Sequence, residues 1–239
     1  NALPTGEKVL DDYVQAIGGK AAHAKLQNRV TKGTLEFAGM GIKAPITSYY
    51  ARPNKHFTIL ESDSFGTIMS GTNGDVAWEM SALQGPSVKQ GGERALLLRE
   101  AIFDAAVHWR KLYPKVECVG TETVDEKPCY KVIATPEEGP AETRYYDKES
   151  HLLVKTEMTV DSAMGEIPLV NYISDYKKVD GILIAHKVRT VIAGMQEMVT
   201  VLDSVEHGVE IPEDRFDLPP EIKALVEKDA EKPKGEPKK

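Results

Sequence analysis

The chain has 239 residues, 41% of them hydrophobic and 28% charged, and a formal net charge of −7 at pH 7. That length supplies one substantial core, and all-β domains often reach it undivided. The acidic balance argues against nucleic acid as a partner, because phosphates demand a basic face, and it disfavours electrostatic docking on anionic lipid.

No segment approaches the roughly 18 consecutive apolar residues of a membrane span. The longest candidate, Ala101 to Val107, is short and interrupted by Asp104. Asn1-Ala2-Leu3-Pro4 is not an initiation start, so the chain is expected to be a mature form whose targeting segment has been removed.

The N-terminus predicts a helix. Thr5 can cap it, Glu7 suits its first turn, and Val9, Leu10, Tyr13, Val14 and Ile17 share one face. Gly18-Gly19 stops it, and a short second helix is expected over Lys20 to Leu26. From Asn28 the period changes to two. Strands are expected up to the turn Ala38-Gly39-Met40-Gly41, then over Ile42 to Ala51, His56 to Glu61, Gly66 to Ser70 and Val76 to Met80. Arg52-Pro53-Asn54 breaks the second of these, and Thr72-Asn73-Gly74-Asp75 is a hairpin turn. The segment Glu93 to Tyr113, rich in Ala, Leu, Arg and Glu, predicts a long amphipathic helix ended by Pro114. Strands resume at Val116 to Thr121, Cys129 to Thr135, Glu142 to Asp147, Leu152 to Val160, Leu169 to Lys178, Ile182 to Ala193 and Glu197 to His207. A last helix is expected over Pro220 to Lys228.

This pattern predicts a mainly β fold with helices (α+β), a curled antiparallel sheet that must bury one face, with the helical insert at about 92–113 available to cover it. One domain is expected over residues 1–226. The charged, Pro-containing tail at 227–239 has no apolar anchor and is expected to be disordered.

The two cysteines, Cys118 and Cys129, flank the turn Val124-Asp125-Glu126-Lys127. A two-residue turn at Asp125-Glu126 sets Cys129 opposite Glu122, with Cys118 four residues further along. At about 3.3 Å per strand residue that exceeds the roughly 7 Å limit for a disulfide. A bridge would need another register or a longer loop; otherwise the two are separately buried thiols.

Reactive chemistry is hard to find. The six histidines fit no HExxH or Cys-rich ligand pattern, so no metal or other cofactor is expected. There is no GxSxG elbow. Gly39-Met40-Gly41-Ile42-Lys43-Ala44 matches G-x-G-x-x-A on paper, but Pro45 and the β-rich Ile46-Thr47-Ser48-Tyr49-Tyr50 follow where a nucleotide site needs a helix. The expectation is therefore a non-catalytic protein, a curled sheet that encloses a cavity or one with a solid core that serves as an interaction scaffold; a hydrolase whose triad is assembled from distant residues is the third alternative, and it would need a pocket with convergent polar groups.

Two runs carry a resemblance. Tyr49-Tyr50-Ala51-Arg52-Pro53-Asn54-Lys55-His56-Phe57, followed by Asn73-Gly74-Asp75-Val76-Ala77-Trp78, resembles the RPxxF and DGxxxW pattern of the LolA/LolB-like periplasmic lipoprotein carriers. Tyr145 to Asp147, Ser174-Asp175-Tyr176 and Phe216-Asp217-Leu218-Pro219-Pro220 are similar to that family in order and spacing. Asp175-Tyr176-Lys177-Lys178-Val179-Asp180-Gly181 is similar to a broader, uncharacterised branch. The resemblance implies an unclosed β half-barrel with a helical lid, a periplasmic or outer-membrane location, and an acylated lipoprotein or other hydrophobic ligand as partner. It implies that Arg52 helps hold the lid. The position four residues beyond Arg52, aromatic in the family, holds His56, with Phe57 one place later. Expected lining and lid residues are Arg52, Phe57, Trp78, Phe103, Trp109, Tyr145 and Tyr172, with hinges at Gly85-Pro86 and Gly91-Gly92. An envelope protein is the alternative partner.

Overall fold

The computed structural model describes residues 2–162 and 165–231. Helices α1 (Gly6–Ala16) and α2 (Gly19–His23) precede six strands: β1 (Asn28–Ala38), β2 (Ile42–Ala51), β3 (Lys55–Ser62), β4 (Gly66–Asn73), β5 (Val76–Ser81) and β6 (Gly85–Val88). Then come α3 (Gly91–Glu100), a 3₁₀ turn (Ala105–His108) and α4 (Trp109–Leu112). Seven further strands follow: β7 (Lys115–Val124), β8 (Lys127–Thr135), β9 (Glu142–Asp147), β10 (Leu153–Ser162), β11 (Gly165–Val179), β12 (Ile182–Ile192) and β13 (Gln196–His207). A second 3₁₀ turn (Glu213–Phe216) leads to α5 (Pro220–Glu231).

All strands belong to one antiparallel sheet ordered β6-β5-β4-β3-β2-β1-β13-β12-β11-β10-β9-β8-β7. The chain walks outward from the centre to β6, crosses to the opposite edge through α3 and α4, and walks back from β7 to β13. The sheet therefore stays open, and the segment joining its two edges is the natural lid. Thr5 caps α1 by accepting from the Lys8 N–H, and Asp125 and Glu126 both take positive φ in the two-residue β7–β8 turn. That turn places Cys129 opposite Glu122 and Cys118 opposite Val132, and both thiols are free.

The sheet centre depends on a close approach at Gly33. A β-bulge interrupts the β1–β13 register between Lys32 and Gly33. A Cβ on Gly33 would lie 2.1 Å from the Val201 carbonyl oxygen, a backbone atom that cannot swing aside. Gly33→Ala is expected to cost about 1–3 kcal/mol through forced backbone displacement. A denaturation midpoint equal to the parent's would contradict this close packing.

Two elements differ from expectation. The single helix predicted over Glu93 to Tyr113 is broken: α3 ends at Glu100, and Ala101–Asp104 forms a non-helical link before the 3₁₀ turn and α4. The cause is tertiary, since Arg52 claims the Asp104 carboxylate and the Phe103 N–H donates to the Pro53 carbonyl at 3.2 Å. In addition, Gly85-Pro86, read as a hinge, begins the short edge strand β6, where a proline is tolerated. The last helix continues to Glu231, three residues beyond its predicted end; the remainder of the charged tail, 232–239, lies outside the described residues.

Candidate ligand groove

Alternation along β1 to β3 sends side chains to opposite faces of the sheet. One rung runs Val30–Tyr49–Phe57–Gly71–Trp78 across β1 to β5. This is the outer face. Phe57 and Trp78 pack there with Phe216 and Ile222, beneath α5 and its preceding turn. The adjacent rung runs His207–Arg29–Tyr50–His56 across β13, β1, β2 and β3. It faces the lid: the Arg29 guanidinium lies 4.5 Å from the Tyr50 ring centroid and 5.8 Å from that of Phe103. Tyr50 in turn stacks on His56 at 4.6 Å.

The lid is held at both ends. Arg52 donates through Nε to the Leu26 carbonyl at 2.7 Å and through one terminal nitrogen to the His23 carbonyl at 2.9 Å. Its fork also grips Asp104, the shorter contact being 2.6 Å. Phe103, between them, packs on Leu26 and Ile182. At the other end, Trp109 is buried against α1 with Val9, Leu10 and Val14, and its indole N–H donates to Asp11.

Between lid and concave face lie three contiguous compartments of about 590, 410 and 290 Å³. Ile173 and Glu100 border both the largest and the smallest, Arg29 and Ile184 the smallest and the middle one, and Tyr50 and Thr200 the other pair. Cavities of this order, about 300–1,000 Å³, are typical of small-molecule sites. The lining is mixed and not the wholly apolar surface expected of an acyl groove. Met158, Ile173, Ile184, Val188 and Leu202 alternate with threonines, Asn171 and charged groups.

The charged groups form a buried cluster at the β9 end. Arg99 of α3 pairs with Glu142 at 2.9 Å, and Arg144 reaches the other Glu142 oxygen at 2.6 Å. The Tyr113 hydroxyl donates to Glu142 at 2.9 Å. Burial would raise the Glu142 carboxyl, but Arg144, Arg99 and Tyr113 together hold it below its usual range. Glu100 extends into the groove, where solvent still reaches it. Enclosure by the walls, and then the Glu142 carboxylate, push its carboxyl from 4.5 up to about 7. On the facing wall, burial and then Arg29 push His56 down to about 4, so it stays neutral at pH 7.

A carboxyl raised in the folded state loses stability as pH climbs, because the unfolded chain ionises first. Glu100→Gln is therefore expected to raise Tm at alkaline pH, with the gain shrinking below about 7 and gone near 4.5. Thermal melts across that range check it. A gain independent of pH, or a loss above 7, would contradict the enclosed carboxyl.

Of the residues expected at the site, Arg52 and Phe103 stand at the lid and Trp109 anchors its far end. Phe57 and Trp78 lie on the outer face. Tyr145 and Tyr172 do too, in a rung with Lys131, Lys155 and Arg189 in which Lys155 lies 4.8 Å from the Tyr145 ring centroid and Arg189 3.9 Å from that of Tyr172. The residues that sequence reasoning missed are Arg29, Tyr50, Glu100, Glu142 and Arg144. A signal existed for the first two: counting back from the Gly39-Met40 turn pairs Arg29 with Tyr50. Among the described residues, no three His, Cys, Asp or Glu side chains come together as a metal site requires, and no helix is long and apolar enough to cross a membrane.

No protein-family model and no curated protein sequence matches the chain. Solved structures do. A DUF1329 family protein from Desulfovibrio piger superposes with a TM-score of 0.60 at 13% identity, covering 89% of this chain and 97% of its own. A putative outer membrane lipoprotein-sorting protein domain from Vibrio parahaemolyticus gives 0.59 at 12%, covering 89% and 97%. A LolA superfamily protein from Nitrosomonas europaea gives 0.56 at 11%, covering 90% and 99%. The fold of this chain is thus the open, lidded LolA-like half-barrel.

Proposed function

We propose that the protein is a periplasmic carrier or binding protein that holds a lipidated or other hydrophobic ligand beneath its lid and performs no chemistry on it. The observation that carries this reading is the continuous hollow between lid and sheet, a space that a scaffold with a solid core would lack. Similarity to a lipoprotein-sorting domain and to a LolA superfamily protein supports the same class of role. Physically, an acyl chain gains about 0.8 kcal/mol for each CH₂ it buries, so binding needs little directional bonding along the chain. Retention and release then depend on the lid, whose buried ionic and aromatic contacts define a closed state.

The test is native mass spectrometry with lipid extraction, on protein purified from a Gram-negative host. A co-purifying acyl species that disappears on delipidation is expected, together with uptake of a fluorescent fatty-acid probe by the stripped protein. Bare protein that also refuses the probe would overturn the reading.

A further inference from the structure

We infer that the 290 Å³ compartment is the head-group end of the groove and receives the carboxylate of a long-chain fatty acid on Arg29. This rests on the carrier reading and narrows it to an amphiphile of defined polarity. Three observations carry it.

First, Arg29 is a cation without an anion. No carboxylate lies in ion-pair contact with it among the described residues, and its enclosed Nε has no hydrogen-bond partner. Second, the guanidinium carbon lies over the Tyr50 ring at 4.5 Å, which holds the group at the compartment wall with its Nε still unpartnered, so a carboxylate can pair with it there. Third, the surroundings repeat the deficit. His23 and His207 border the same compartment, and each has a buried Nε2 without a partner.

The nearby acids do not answer Arg29. Asp104 is taken by the Arg52 fork and lies 3.2 Å from His108, Asp180 is held by His207 Nδ1 at 2.9 Å, and Glu100, though it borders the compartment, makes no ion pair with Arg29. No lysine lines the compartment, so a single guanidinium faces the ligand, matching a singly charged carboxylate better than a doubly charged phosphate. Beside Arg29 the compartment offers Ile102, Ile173 and Ile184 to the start of an alkyl chain, and Met158 and Val188 continue that apolar strip into the largest compartment, past the Arg99–Glu142–Arg144 cluster, whose charges are already paired with one another.

The experiment compares palmitate, hexadecanol and acetate on delipidated protein at neutral pH and low salt, by displacement of a fluorescent probe. Palmitate is expected to bind about tenfold more tightly than hexadecanol, as one charge-assisted pair allows. Acetate is expected to displace nothing at the same concentrations. Arg29→Met should bring palmitate down to the level of hexadecanol while leaving hexadecanol unchanged. Equal affinities of the parent protein for palmitate and hexadecanol would overturn the inference and leave the carrier reading intact, without any variant having to fold. Failure of both to bind would overturn the carrier reading itself. Acetate competing as well as palmitate would show a small-anion site instead.

Discussion

Arg52→Ala is expected to lose about 3 kcal/mol of folding stability and to free the lid. Asp104 is 5% exposed and receives both arms of the Arg52 fork, so removing the arginine strands a buried carboxylate beside His108 alone. The same change deletes the bonds to the Leu26 and His23 carbonyls, which tie the strand end to the last residue of α2 and the segment after it. The lid should respond locally before the sheet does. Amide exchange at Phe103, Ala105 and Val107, whose N–H groups donate within or beside the lid, should accelerate far more than exchange in β11 or β12. Arg52→Lys keeps the charge but not the fork, and should fall between the two. If the alanine variant matched the parent in both stability and lid exchange, Arg52 would not be the clasp.

Glu142→Gln should be costlier still, at about 3–5 kcal/mol, because it leaves two guanidiniums enclosed with their carboxylate gone. Arg99 and Glu142 are 7% and 5% exposed, so water cannot easily replace the lost partner. The variant carries its own internal check. Glu142 is one of the groups that hold Glu100 up near 7, and without it Glu100 becomes the sole carboxylate beside Arg99 and Arg144. Its titration should move down towards the ordinary carboxylate range. Denaturation measures the first effect and carboxyl NMR titration the second. A loss below about 1 kcal/mol would put this cluster with ordinary surface ion pairs.

The sheet was readable because its signals are local. Period-two alternation and turn residues such as Asn73-Gly74 and Asp180-Gly181 mark hairpins wherever they fall, and a meander of hairpins is what the chain makes. The lid was less readable. Ala, Leu, Arg and Glu over Glu93 to Tyr113 all favour helix, and nothing local announces that Arg52, about fifty residues earlier, will take Asp104 out of it. The lining aromatics were hard to choose for a different reason. Alternation tells which residues share a face, but both faces of this sheet carry packed aromatics, the half-buried Tyr50 inside and Tyr49, Phe57 and Trp78 outside under α5. Periodicity cannot say which face is concave. The Arg99–Glu142–Arg144 cluster unites an α3 residue with two from β9, and no spacing in the sequence brings them together.

Spin-labelled stearate, titrated into isotope-labelled protein and followed by paramagnetic broadening, tests the central claim most directly. If the groove holds the chain, signals from Ile173, Ile184, Val188 and Thr200 broaden at low stearate, while those of Phe57, Trp78, Tyr145 and Tyr172 on the outer face persist. Broadening confined to the outer face, or absent everywhere, would contradict a ligand held between lid and sheet.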